Sequence, residues 1–379
     1  MQSPALPVAR IIDSPKNLTA MVEDLKKQSA VAIDTESNSL HAYQEQVCLI
    51  QLSTREHDYL LDPMAVPDPE ELGAVFANPE IQKVFHAGDY DLATLKRDFG
   101  FEFRNVFDTM LAATALAEPA LGLAGLLEKY FDLRIEKKYQ RADWGKRPLD
   151  SEMLEYARND SHYLLDLRDL LVQRLKEADR LGYVLEDSAA LAKITLPMKD
   201  HEENLWRVRG VQELKPEALS LLREINHLRE QIAMNRDVPP FKVFSDRLMI
   251  EIAQTQPRYV EELELLPSFS PAMRRRYGSR IMQTVDSWRK NPVPVVPRAN
   301  HRFSDREMKL RDKLTDWRKA VGEKDGVPSN AVFPRDLLER IAHRDPGSLE
   351  ELEEVMRDYP LRFQKYGVQI FNLIKRKNK

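Results

Sequence analysis

The back half of this chain repeats itself. Laid on itself at an offset of 89 residues, with no gap, the sequence pairs Arg229 with Arg318, Pro239 with Pro328, Val243 with Val332 and Phe244 with Phe333. The pairing continues through Leu248/Leu337, Ile252/Ile341, Ala253/Ala342, Pro257/Pro346, Glu261/Glu350, Glu262/Glu351 and Leu263/Leu352. It ends at Tyr277-Gly278/Tyr366-Gly367 and Ile281/Ile370. Chance rarely keeps so many identities in one frame, so this half is expected to be two copies of one small helical domain. The stretch NPVPVVPR (291–298) between them is proline-rich and reads as a semi-rigid extended spacer. A polar segment near 199–204 separates the first copy from the front half.

The front half has a different pattern. Ser14-Pro15 reads as an N-cap followed by proline at the first helical position, opening a helix to about Gln28. AVAID (30–34), VCLIQLS (47–53) and DYLLD (58–62) read as strands joined by short connections, hence antiparallel neighbours. A helical stretch near 69–77 and a buried strand KVFHA (83–87) follow. Helices are expected near 90–98, 109–117 and 122–131. A long one is expected over about 151–177, from the apolar spacing of Met153, Leu154, Ala157, Leu164, Leu165, Leu167, Leu170, Leu171 and Leu175. Strands first, then strand–helix alternation, fits a mixed α/β sheet flanked by helices.

At 379 residues the chain exceeds the usual size of one domain. Its single cysteine, Cys48, rules out a disulfide framework and fits a reducing cytosol. The opening MQSPALPVARIID has no basic leader or apolar core, so no signal peptide is expected. No apolar stretch approaches the roughly 20 residues of a membrane span. The net charge of −4 hides an asymmetry. Residues 1–200 hold 23 Lys+Arg against 34 Asp+Glu (net −11); residues 201–379 hold 34 against 27 (net +7). An acidic front and a basic back suit a metal-dependent site joined to an anion-binding module, although charged helix faces alone produce the same split.

Five residues carry the chemistry. Asp34 and Glu36 in VAIDTES are two apart on an expected strand and so share a face. Asp91 in HAGDYDL follows the small pair Ala87-Gly88 near a helix start, where an aspartate also serves as a cap. Tyr156 and Asp160 in EYARNDSHYLL are four apart on one helix face, a spacing that an ordinary half-buried tyrosine and a solvated aspartate also show. Four carboxylates aimed at one point repel one another unless cations neutralise them. Hard oxygen ligands of this kind select magnesium or manganese.

In conjunction and order, these segments resemble the Exo I, Exo II and Exo III motifs of the DEDD exonuclease superfamily. The Tyr156–Asp160 spacing is similar to the tyrosine subclass; the histidine subclass would place His where Glu155 stands. The contexts HAGDYD, VFDT (106–109), RADWGKRPL (141–149) and EYARND fit as well. The back-half repeat resembles tandem HRDC domains. The whole order is similar to that of the bacterial ribonuclease D family.

The resemblance implies an α/β ribonuclease H-like exonuclease domain over 1–200, a first HRDC helical bundle over 205–290, a proline-rich linker over 291–300 and a second HRDC bundle over 301–379. It implies two divalent cations, Mg2+ or Mn2+. Asp34 would bridge both, Glu36 and Asp160 would complete the site of the ion that activates water, and Asp91 would help hold the second. Tyr156 would orient the attacking water. The expected reaction is 3'-5' hydrolysis of RNA to nucleoside 5'-monophosphates, above all in maturation of transfer-RNA precursors, by a monomeric cytoplasmic enzyme. A DNA exonuclease and a non-catalytic nucleic-acid-binding scaffold are the alternatives.

Leu40 would wedge against the terminal base or fill core. His86 would touch a phosphate or sugar, or be a satisfied buried imidazole. Asp108 reads as a helix cap or a group supporting a ligand. Trp144 and the basic RADWGKR stretch read as substrate path or surface loop. Arg274, Arg275, Arg276 and Tyr277 form a basic-aromatic cluster suited to phosphate contacts with stacking, or a solvated helix face around a buried tyrosine.

Overall fold

The computed structural model describes residues 8–195, 205–295 and 304–375. The first seven residues, the polar segment near 199–204, the far end of the 291–298 spacer and the terminal KRKNK beyond Lys375 lie outside the described residues. The described chain divides into two compact units, one of 8–37, 47–195 and 304–375, the other of 38–46 and 205–295.

A six-stranded sheet organises the first unit. Its strands are β1 (Arg10–Ile12), β2 (Ala30–Ser37), β3 (Val47–Ser53), β4 (Asp58–Leu61), β5 (Gln82–Phe85) and β6 (Val106–Asp108), in the order β1-β4-β3-β2-β5-β6. β2, β3 and β4 form the antiparallel meander that their short connections predict. β1 runs parallel to β4, and β5 and β6 run parallel to β2. In the register of β2 on β3, Asp34 faces Gln51 and Glu36 faces Leu49, with an irregularity just after Glu36. β1 and β6 are three residues each, too short for periodicity to reveal.

Strand alternation divides the buried residues between the two faces. On one, Ile33, Ile50 and Leu52 pack with Leu18, Met21 and Val22 of α1 (Pro15–Leu25) and Leu92 and Leu95 of α3 (Asp89–Phe99). On the other, Leu49 and Leu60 pack with Met153 and Ala157, while Ala32 packs with Leu164, Leu167 and Leu171. α1 begins on the Ser14 cap and Pro15 that the sequence marks, and α2 (Glu70–Phe76) and α5 (Leu123–Phe131) form within stretches expected to be helical.

The expected helix over 151–177 is two helices, α6 (Ser151–His162) and α7 (Leu164–Glu177), divided at Tyr163. The apolar stripe lapses between Ala157 and Leu164, and the two pieces cover different parts of the sheet. α6 packs on β2, β3 and β4, whereas α7 packs on β2, β5 and α4 (Thr109–Ala115). A further helix, α8 (Leu181–Leu191), has no counterpart in the sequence reading.

The repeat is structural. Helices of the second copy start at Asp305, Arg335, Leu349 and Pro360, each 89 residues after Pro216, Asp246, Val260 and Pro271 of the first. Two paired identities explain themselves: Arg229 donates to the carbonyl of Phe244, and Arg318 to that of Phe333. The first copy belongs to the second unit, where the loop 38–46 joins it. Tyr43 donates its hydroxyl to Glu230 (3.0 Å) and its N–H to Asp237 (3.0 Å).

The second copy is built into the first unit around Arg362, which is 0% exposed. Its guanidinium donates to Glu186 (3.0 Å) and Asp187 (2.8 Å) of α8 and to the carbonyls of Tyr183, Val332 and Ala331. It also lies over the rings of Tyr183 and Tyr359. Lys193–Asp358 (2.6 Å) adds an outer tie. At the matching place in the first copy stands Met273.

Candidate active site

Each functional side chain is held by a different local device. β2 places Asp34 and Glu36 on the face that α6 covers. Asp91 sits in the first turn of α3, after a strained corner. Ala87 there has φ 56°, and any Cβ on Gly88 would lie 2.5 Å from the Cβ of Phe85. The Gly88 N–H is tied to Asp108 (2.8 Å), which also caps α4 by accepting from Met110 and Leu111. Asp108 thus fixes the turn that aims Asp91. α6 starts on the Asp150 cap (2.8 Å to Met153 N–H), and its last turn is pinned by Ser53–Ser161 (2.8 Å) and His162–Asp58 (2.8 Å). Tyr156 and Asp160 therefore ride on a helix anchored at both ends.

These devices bring Asp34, Glu36 and Asp160 together: each offers a carboxylate oxygen within 4.8 Å of the others, and all three are half-buried. Asp91, 8% exposed, stands just outside that triplet and accepts a hydrogen bond from Thr35. The Tyr156 hydroxyl donates to Asp160. Its ring packs against Tyr139 (5.8 Å) and Trp144 (6.2 Å).

The electrostatics follow from burial and crowding. Burial and the charges of Asp91, Asp160 and Glu36 push the Asp34 carboxyl well above the usual range. Glu36 is raised to about 9 by burial, then by Asp160 and Asp91. Asp160 is raised to about 7, chiefly by burial, against the Tyr156 hydrogen bond. Asp91 is raised to about 6 by burial, opposed by the Thr35 hydroxyl. Burial and the surrounding carboxylates push the Tyr156 phenol up, so it stays protonated. An all-oxygen, acidic, half-enclosed donor set of this kind fits a hard divalent cation.

A pH dependence follows. Glu36, Asp160 and Asp91 titrate higher folded than unfolded, so the folded metal-free chain holds protons that the unfolded chain has released. Their contribution to stability is complete below about pH 4 and is lost as the pH climbs through about 6, 7 and 9. In chelator, the melting temperature should fall between about pH 5 and 9, and Mn2+ should restore it most at the alkaline end. A combined Asp34→Asn, Glu36→Gln variant should flatten the slope; calorimetry across that range checks both.

Other residues that the sequence singles out fall differently. His86 is half-buried, its Nδ1 2.9 Å from the hydroxyl of Thr109, and burial lowers it to about 4. Because the Thr109 hydroxyl donates to the Phe85 carbonyl (3.0 Å), His86 must donate from Nδ1, which leaves Nε2 an acceptor. Leu40 is 40% exposed in the 38–46 loop and does not fill core. Trp144 sits in a loop, but its side chain is buried, 1% exposed, and supports Tyr156 rather than lining an open path. Tyr277 is 5% exposed, edge-on to Phe244 and bonded by Arg236, which removes it from any stacking role. Arg274 is paired with Glu264 (2.9 Å); Arg275 and Arg276 are exposed. The sequence reading passed over Thr35 and Gln51. The signal for Gln51 was present, as the one amide in the otherwise apolar VCLIQL.

Comparisons with known proteins bear on the domains and the fold. A 3'-5' exonuclease family model matches residues 9–176, and the HRDC domain model matches 218–285 and 307–374. The exosome complex exonuclease RRP6 of Saccharomyces cerevisiae is 36% identical over 262 residues, covering 65% of this chain and 36% of that protein. The chain spans about a third of the length of the exosome-type relatives it matches. The crystal structure of RNase D from Escherichia coli shares the fold, with a TM-score of 0.73 at 23% identity over 98% of this chain and 100% of that one. The ribonuclease D of Haemophilus influenzae is 30% identical over 302 residues, covering 79% of this chain and 75% of that protein. Matched at that identity over three quarters of such a relative, the chain belongs to the ribonuclease D family.

Proposed function

We propose that this chain is a divalent-metal-dependent 3'-5' exoribonuclease that releases nucleoside 5'-monophosphates from free 3' ends. The observation that carries the reading is the convergence of Asp34, Glu36 and Asp160 within 4.8 Å, next to the Tyr156–Asp160 hydrogen bond, inside an exonuclease-family domain. Asp34, Glu36 and Asp160 hold the cations, Mg2+ or Mn2+, with Asp91 completing the set. Bound, such cations lower the pKa of a water and stabilise charge on the attacking and leaving oxygens. Tyr156 cannot serve as a base; its protonated hydroxyl orients. His86 presents an acceptor, which fits a sugar hydroxyl better than a phosphate. Leu40 meets the terminal base, and Arg275 and Arg276 meet RNA phosphates.

The proposed division is catalytic over 1–200, helical over 205–290 and 301–379, with the 291–300 linker between. The substrate is RNA, as the ribonuclease D relatives support; transfer-RNA precursors and other small structured RNAs are the targets proposed. The enzyme is proposed to act as a cytoplasmic monomer; among the described residues no helix is long and apolar enough to cross a membrane.

End-labelled single-stranded RNA and DNA of matched sequence, each with Mg2+ or Mn2+, test this. RNA should shorten stepwise from its 3' end with 5'-monophosphate release. Preferential degradation of DNA would make the enzyme a DNA exonuclease, and no release from either would leave a nucleic-acid-binding protein.

A further inference from the structure

Gln51 is 0% exposed, and neither its amide nitrogen nor its amide oxygen has a hydrogen-bond partner in the protein. Leaving a buried polar group unsatisfied costs about 1–3 kcal/mol, and a fully apolar side chain would avoid that cost. The neighbours on its face show that apolar residues fit there. Leu49 precedes it by two and Leu60 is its cross-strand partner on β4, and both pack on Met153 and Ala157. Its partner on the other side is Asp34. Directly paired residues of an antiparallel ladder point to the same face with Cβ atoms about 4.5–5.5 Å apart. Two residues further on, Ser53 bonds Ser161 of α6. Gln51 therefore stands beside Asp34 on the sheet face that α6 covers. Another buried polar group of the same domain is answered: Lys83, also 0% exposed, donates to the carbonyls of Asn78 and Ile81.

We infer that Gln51 is a positioning residue of the metal site, its amide reserved for the Asp34 and Asp160 carboxylates in their cation-holding arrangement. An amide suits this place better than a second carboxylate or a cation. Its NH2 offers two N–H donors to ionised carboxylate oxygens and adds no charge to a crowded anionic cluster. The inference rests on the proposed metal site, and the test keeps the two apart.

The full-length protein and its Gln51→Met and Gln51→Leu variants would be melted without RNA across a Mn2+ titration, then assayed for kcat and KM on single-stranded RNA. Both substitutions keep bulk and remove hydrogen bonding. The metal-free melting temperature should hold or rise, the Mn2+ needed for half-maximal stabilisation should increase about 10–100-fold, and kcat should drop with KM unchanged. Unchanged Mn2+ dependence in a folded variant overturns the role. So does unfolding of both variants, because the amide would then serve the metal-free fold. If the unaltered protein shows no Mn2+ stabilisation, the metal site itself fails and the inference with it.

Discussion

Arg362→Met is expected to lower the stability of the first unit by about 3–5 kcal/mol, the usual loss when one partner of a buried ion pair is removed. The size comes from what remains. Side chains of Glu186 and Asp187 are 7% and 13% exposed in the pairing with Arg362, and without it they are buried carboxylates with no counter-charge. Burial already pushes Asp187 up to about 6 even with the guanidinium in place. Methionine is an apt replacement because the first copy carries Met273 at the same position, so the helix itself accepts it. Denaturant melts of the variant should show an earlier first transition. Adding Glu186→Gln and Asp187→Asn should recover part of the loss, since the stranded charge is its main source. A loss under about 1 kcal/mol would mean that the guanidinium contributes no more than a surface pair. Cutting off the second copy is therefore a poor test of RNA affinity, as it would also strip α8 of this partner.

Asp34→Asn should reduce turnover by about 10³-fold or more, the upper end of what one electrostatic stabiliser contributes to a rate. The folded state should survive and gain. Asp34 is pushed up by burial and by three neighbouring carboxylates, so a neutral amide removes repulsion in the metal-free protein. Two readouts separate this from ordinary damage. The melting temperature in chelator at about pH 8 should rise, and the further rise on adding Mn2+ should largely vanish. A variant that melts markedly lower in chelator would assign Asp34 a structural role instead.

Features governed by local periodicity were legible in the order of the residues. The 89-residue repeat fixed two helical copies with matching helix starts. Strand alternation put Asp34 and Glu36 on one face, and the helical spacing put Tyr156 and Asp160 one turn apart. These follow from backbone geometry alone, which is the same wherever the segment packs. The broken stripe at Tyr163 was visible too, but its meaning was not, because the division of α6 from α7 depends on which strands each helix covers.

What long-range pairing controls came from the fold in three dimensions. It buried the loop residue Trp144 against Tyr156 and bonded the buried Tyr277 to Arg236. It set Gln51 against Asp34 and turned the second repeat copy toward α8 through Arg362, across 176 residues of chain. Burial and charge pairing are properties of neighbours in space. Two copies with the same helical pattern can therefore meet different surroundings, and the arginine that stands in place of methionine gives one of them a buried partner in the catalytic half.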